Sequence, residues 1–268
     1  MMEFLSYGFL QRAMLAGVFV AVACALLGVF LILRRDSMIG HGLAHVTFAG
    51  VAIGLLLQFF PIITALILAV LTGLIIMKIK EKAGLYGDTA IAIFSSTGFA
   101  VGILLVSLSQ DFSVDLFAYL FGDILAIETF EVWMSVALAF AVVIVVLRYY
   151  HPFMFLTFDR ESAMASGVKV KRLEILLTIL TAITVVLGMK VVGILLVAAL
   201  LVIPAAAGLQ LAASFKLAMV ISAVVALFSV IGGLFLSFYG DLPASATIVL
   251  LAFFVFALFY IIKGQKRG

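Results

Sequence analysis

Charge is scarce in this chain. Asp, Glu, Lys and Arg make up 11% of 268 residues, against about a quarter in a soluble domain. Apolar residues make up 67%, and the mean hydropathy is +1.41, which excludes a soluble globular protein. The alternating apolar and polar strands of an outer-membrane barrel are absent, so whatever crosses a bilayer here is helical. The single cysteine, Cys24, lies in the first apolar run. It excludes an intramolecular disulfide and says little about redox compartment. No small-residue cleavage site closes that long first run, so no cleavable signal peptide is evident. The phosphate-loop pattern G-x-x-x-x-G-K followed by Ser or Thr is also missing, so ATP is not bound by that means. Nothing points to nucleic acid as a partner.

What the chain does have is a series of apolar runs, at about 10–33, 39–58, 61–78, 88–108, 130–148, 173–189, 191–212, 217–238 and 244–262. Each approaches the roughly 17–25 residues a helix needs to cross a bilayer. Connections at Pro61 and Lys190 are very short, and Gly188 and Gly193 leave bent helices possible there. The expected fold is an all-α polytopic membrane bundle of eight or nine transmembrane helices, forming one transmembrane domain over residues 1–268.

The few charges are sorted. Of the sixteen basic residues, all but Arg12 and Lys190 fall on one side if the N-terminus is outside and the C-terminus inside. That side is therefore read as cytoplasmic. Asp111, Asp115, Asp123, Glu128, Glu131 and Asp241 fall on the other side. The segment 109–129, with aromatics beside acids, is expected as a short helix lying at the outer interface. No convincing long repeat exists. One short echo links GHGLAHVTFAGVAIGLLL (40–57) to GDTAIAIFSSTGFAVGILL (87–105).

Histidine is rarer still. Two of only three, His41 and His45, stand one helical turn apart where the chain enters its second apolar run. Residues at i and i+4 share a helix face, so the two imidazoles can hold one divalent transition metal. As ordinary polar residues they would simply lie near the inner interface. Ionisable groups within a membrane are costly and tend to line substrate paths, which favours the metal. The spacing also occurs in the zinc-protease motif HExxH, but Gly42 stands where the general-base glutamate belongs, so a metalloenzyme is discounted. Asp88 opens the fourth run from the same side. It is either a cap accepting free backbone N–H groups or a third group on the metal path.

The longest cytoplasmic segment, about 150–172, contains ESAMASG (161–167), which fits a short helix ended by Gly167 in a left-handed cap. A solvated interfacial helix would explain it too. Its E-x-A-x-x-x-G pattern is similar to the coupling element of ATP-binding cassette (ABC) permeases. With it stand LRRDSMIGHGLAHVTFAGVAIG (33–54), GDTAIAIFSS (87–96), DLFAYLFGDILAI (115–127), MKVVGILLVAALLVIPAAAG (189–208) and ATIVLL (246–251). Across nearly the whole chain these stretches resemble the permease subunits of zinc/manganese/iron ABC transporters.

The resemblance implies a non-enzymatic transport subunit in a bacterial or archaeal plasma membrane, paired with a second permease copy as a homodimer. It further implies a separate cytoplasmic ABC ATPase subunit and an extracytoplasmic metal-binding protein. Docking of the ATPase falls on Asp159, Glu161, Ala163, Ala165 and Gly167. No cofactor is held permanently; a divalent metal passes through. Many members of the family carry aspartate at the first metal position, D-x-x-x-H, where this chain has His41. A nitrogen ligand in place of a hard oxygen favours zinc, then manganese or iron. The alternatives are a siderophore or cobalamin ABC permease, against which the histidines argue, and a proton- or sodium-coupled secondary transporter, against which the coupling segment argues.

Overall fold

The computed structural model describes residues 7–82, 87–108, 122 and 127–265. All the secondary structure among them is helical: α1 Gly8–Leu33, α2 Ile39–Leu56, α3 Pro61–Lys82, α4 Gly87–Leu108, α5 Thr129–Arg148, α6 Tyr150–Phe158, α7 Arg160–Ala165, α8 Val170–Val192, α9 Ile194–Leu211, α10 Phe215–Gly240 and α11 Ala244–Gln265. Nine of these, all but α6 and α7, are long and apolar enough to cross a membrane. They correspond one to one with the nine apolar runs. The outer segment expected at the interface lies mostly outside the described residues.

Several helices overrun the boundaries the apolar runs suggest. α3 continues past Lys78 to Lys82, and α8 begins at Val170 and ends at Val192. Hydrophobicity marks where lipid ends, but the i to i−4 ladder continues as long as the backbone stays helical. The two short connections resolve as true breaks. Residues 57–60 form a turn between α2 and α3, with Gln58 at φ 52°. Gly193, at φ 86° and ψ 159°, separates α8 from α9, whereas Gly188 continues the helix. Residues 150–158, expected as loop, form α6.

α1 runs through the middle of the bundle against α5, α9 and α10, while α2 packs on α3 and α4, and α8 on α3. The burial differs accordingly: 67% of the α1 span lies inside the single chain, but only 11% of the α4 span. Six buried hydroxyls are satisfied within their own helices. Thr47, Thr178, Thr181, Thr184, Ser222 and Ser229 each donate to the carbonyl four residues earlier, which spares them a partner across the apolar interior.

The two echo segments become neighbours. α2 and α4 run in the same direction, with Gly42 facing Ile91, Val46 facing Gly98 and Phe48 facing Gly102. A Cβ on Gly42 would stand 2.6 Å from Ile91 Cγ2, so the small residues set how closely the two backbones approach.

Candidate functional site

His41 and His45 occupy the first two turns of α2, both partly buried. The i, i+4 spacing brings their Nε2 atoms to 3.2 Å, with ring planes at 86°. The His45 ring also stands edge-on to Phe99 of α4, centroid to centroid 4.9 Å. The pair therefore sits at the seam of α2 and α4. Its Nε2 separation is close to the roughly 3.3 Å that two imidazoles need on one tetrahedral ion with bonds of about 2.0–2.1 Å. Nδ1 of His45 is buried and has no hydrogen-bond partner.

Among the described residues, no third His, Cys, Asp or Glu joins the histidines in a metal-sized group. Asp88 is the second residue of α4 and is exposed. Because Ile91 faces Gly42, Asp88 lies roughly 4.5 Å along the α4 axis toward the end where α2 begins. An acidic residue in the first turn is favourably placed in the field of the helix N-terminus.

At the same end of the bundle the segment 159–168 folds as a closed local unit. Asp159 accepts from Ser162 N at 2.9 Å and from the Ser162 hydroxyl at 2.5 Å, capping α7. These bonds hold its carboxyl below the usual carboxylate range. After Ala165 the helix ends in a Schellman pair: Val168 N–H donates to Ala163 O and Gly167 N–H to Met164 O, each at 3.1 Å. Gly167 has φ 83°, and a Cβ there would meet open space, so glycine is required for its backbone angle alone. Ala163 is fully buried beneath the turn. Glu161, Met164, Ala165 and Phe158 are exposed.

Around this unit stands a charge network that the spacing of residues does not announce. Glu174 of α8, its side chain 7% exposed, accepts from Arg160 Nε at 2.9 Å and Nη2 at 3.3 Å, and from Arg34 Nη2 at 3.3 Å. Arg34 also reaches Asp36 at 3.5 Å, and Lys80 of α3 pairs with the same carboxylate. Glu81 is within 3.4 Å of Arg160 and 3.8 Å of Lys171. Hydrogen bonding to Glu174 pushes Arg160 above its ordinary pKa. The charges line a cleft of about 570 Å³. The available signal was that Asp36, Glu81 and Glu174 stand among the basic residues of this end rather than on the acidic side.

The two stray basic residues are also accounted for. Lys190 is ion-paired to Glu131 of α5, which is only 2% exposed, and Arg12 donates to the Gly8 carbonyl at 3.4 Å.

The family model described as "ABC 3 transport family" matches residues 6–263. The chain belongs to the ABC 3 transport family. It is 32% identical over 264 residues to the manganese transport system membrane protein MntC of Halalkalibacterium halodurans, covering 98% of this chain and 90% of that one. It is 32% identical over 247 residues to the high-affinity zinc uptake system membrane protein ZnuB of Haemophilus influenzae, covering 92% and 94%. Among solved structures it is similar to PsaBC from Streptococcus pneumoniae in complex with Fab, with a TM-score of 0.86, 30% identity and coverage of 96% and 94%. The resemblance read from the sequence is thus borne out, and the chain is a multi-span permease of a transport family.

Proposed function

We propose that this permease carries a divalent transition metal, zinc ahead of manganese or iron, past His41 and His45. The observation that carries this is the 3.2 Å approach of the two Nε2 atoms, with no other acidic or sulfur ligand near them among the described residues. Nitrogen donors suit borderline metals better than hard ones. Two ligands hold the ion without enclosing it, and a path must release what it binds. The relative named for manganese keeps that cation as the second reading.

In this proposal residues 1–268 form one permease domain. Two copies enclose the path, and the thinly covered α4 lies where a second copy can complete the metal's ligand set. Asp88 is the candidate third group. The N-terminus is outside and the C-terminus in the cytoplasm of a bacterial or archaeal plasma membrane. An extracytoplasmic binding protein delivers the metal. A separate ABC ATPase docks on α7, with Asp159 and Gly167 shaping the turn, Glu161 and Ala165 at the contact and Ala163 beneath it. Nucleotide-driven movement of that docked turn opens the path inward.

The test is elemental analysis of the purified complex after competition among zinc, manganese and iron, with His41→Ala/His45→Ala beside it. Zinc retained by the parent and lost in the double variant supports the proposal. Manganese retained over zinc would replace the cation, and equal metal retention in both proteins would remove the histidines from the path.

A further inference from the structure

The charge network joins four separate pieces of chain. Arg160 is the first residue of α7, and its guanidinium holds Glu174 of α8 through two hydrogen bonds. The same carboxylate holds Arg34, the C-cap of α1. Arg34 reaches Asp36, and the backbone carbonyl of Asp36 accepts from Ile39 N–H at 3.0 Å, where α2 begins. His41 is two residues further on. Lys80 fastens Asp36 to α3 as well. The chain of contacts from the exposed turn to the metal-bearing helix is therefore continuous, and Glu174 is the one member bonded to both α7 and α1.

Burial gives the arrangement its stiffness. A carboxylate this enclosed cannot trade its partners for water, so displacing Arg160 must either drag Glu174 or leave it with Arg34 as its one cationic partner. Surface ion pairs slip freely under the same displacement. Besides Glu174, Arg160 reaches Glu81 of α3 at 3.4 Å, a pair whose two side chains are both well exposed, while the Asp159 cap and the Schellman bonds are local and only hold the turn together.

We propose that Glu174 is a positioning residue for transport: through Arg160 and Arg34 it ties the docking turn α7 to the start of α2, so that movement of the turn displaces His41. This rests on the proposal that an ABC ATPase docks on α7, and it adds which side chain passes the movement on.

The test uses the full complex of permease, ATPase and binding protein reconstituted in vesicles. Three quantities are read: ATPase co-purification, ATP hydrolysis, and metal ions taken up per ATP hydrolysed. Glu174→Gln keeps the shape and loses the charge. It should leave the ATPase bound and hydrolysing while ions per ATP fall by about tenfold. Arg160→Gln removes the same contact from the more exposed side and should lower the ratio similarly. The double variant should be no worse than either single one, because both act through one contact. Arg160→Lys should restore part of the ratio.

Unchanged ions per ATP in Arg160→Gln would overturn the proposal, as would additive losses in the double variant. A lower melting temperature with an unchanged ratio would make the network structural only. Failure of the parent chain to retain the ATPase would overturn the docking proposal itself, and this one with it.

Discussion

Asp36 precedes His41 by only five residues, yet the two belong to clusters bonded in opposite ways. Asp36 is one corner of a network in which every carboxylate has a cationic partner: Asp36 with Arg34 and Lys80, Glu174 with Arg34 and Arg160, Glu81 with Arg160 and Lys171. The histidines have each other and an aromatic edge, and a buried Nδ1 has nothing. Burying polar groups without partners is costly. The network pairs all its carboxylates, although Arg34 Nη1 is itself buried without a hydrogen-bond partner, whereas the histidines make no ion pair or hydrogen bond to the rest of the chain among the described residues. In the proposed function the contrast separates two duties within a small region, gripping the protein's own helices and contacting a passing ion.

The largest expected effect is on the open cluster. His41→Ala/His45→Ala should reduce metal uptake in reconstituted vesicles by about 100-fold or more, since losing even a group that only supports a ligand typically costs about 10–100-fold. Melting of the detergent-solubilised protein should barely change, because the histidines bond to no other side chain. A large drop in melting temperature with uptake preserved would erase the contrast.

Next comes the closed cluster. Glu174→Ala should destabilise the chain by about 2–3 kcal/mol, less than the 3–5 of a fully buried pair, since Arg160 is 43% exposed. Thermal melting should show the loss, and metal retained by the purified protein should not. If Glu174→Ala instead strips metal without lowering the melting temperature, the two clusters are one site.

Gly167→Ala separates backbone demand from contact. With open space around the added Cβ, the only expense is a left-handed residue, about 1–2 kcal/mol. It is confined to α7, so ATPase retention should weaken while metal affinity stays.

The smallest effect is a pH response in α7. Hydrogen bonds from Ser162 depress the Asp159 pKa in the folded state, so its cap contributes fully above the ordinary carboxylate pKa. The contribution is lost as pH falls through the depressed value. Hydrogen exchange of Ser162 N–H should rise with acidification across that window, corrected for intrinsic exchange, and Asp159→Asn should abolish the pH dependence. A response centred near pH 7 would assign it to another group.

The nine spans, the histidine face and the glycine stop at 167 were legible because each is written in a local period or a single residue's backbone preference. A hydrophobic run of about twenty residues in a bilayer has few alternatives to a helix, and i, i+4 neighbours meet on any helix whatever surrounds it. Gly167 declared itself for the same reason: the chain needs φ 83° there, and glycine reaches it without strain. Glu174 and Arg34 stand 140 residues apart, and no local pattern relates them. Their pairing is decided by which helices pack side by side, and so is the meeting of Lys190 with Glu131. The sequence by itself determined the nine long helices, their ends to within a turn or so, and which side chains share a face, but not the short α6 at 150–158. Only the tertiary structure decided which charges cancel and which imidazole nitrogen remains unpaired, because those depend on distances between helices that sum over many weak contacts rather than on any one residue.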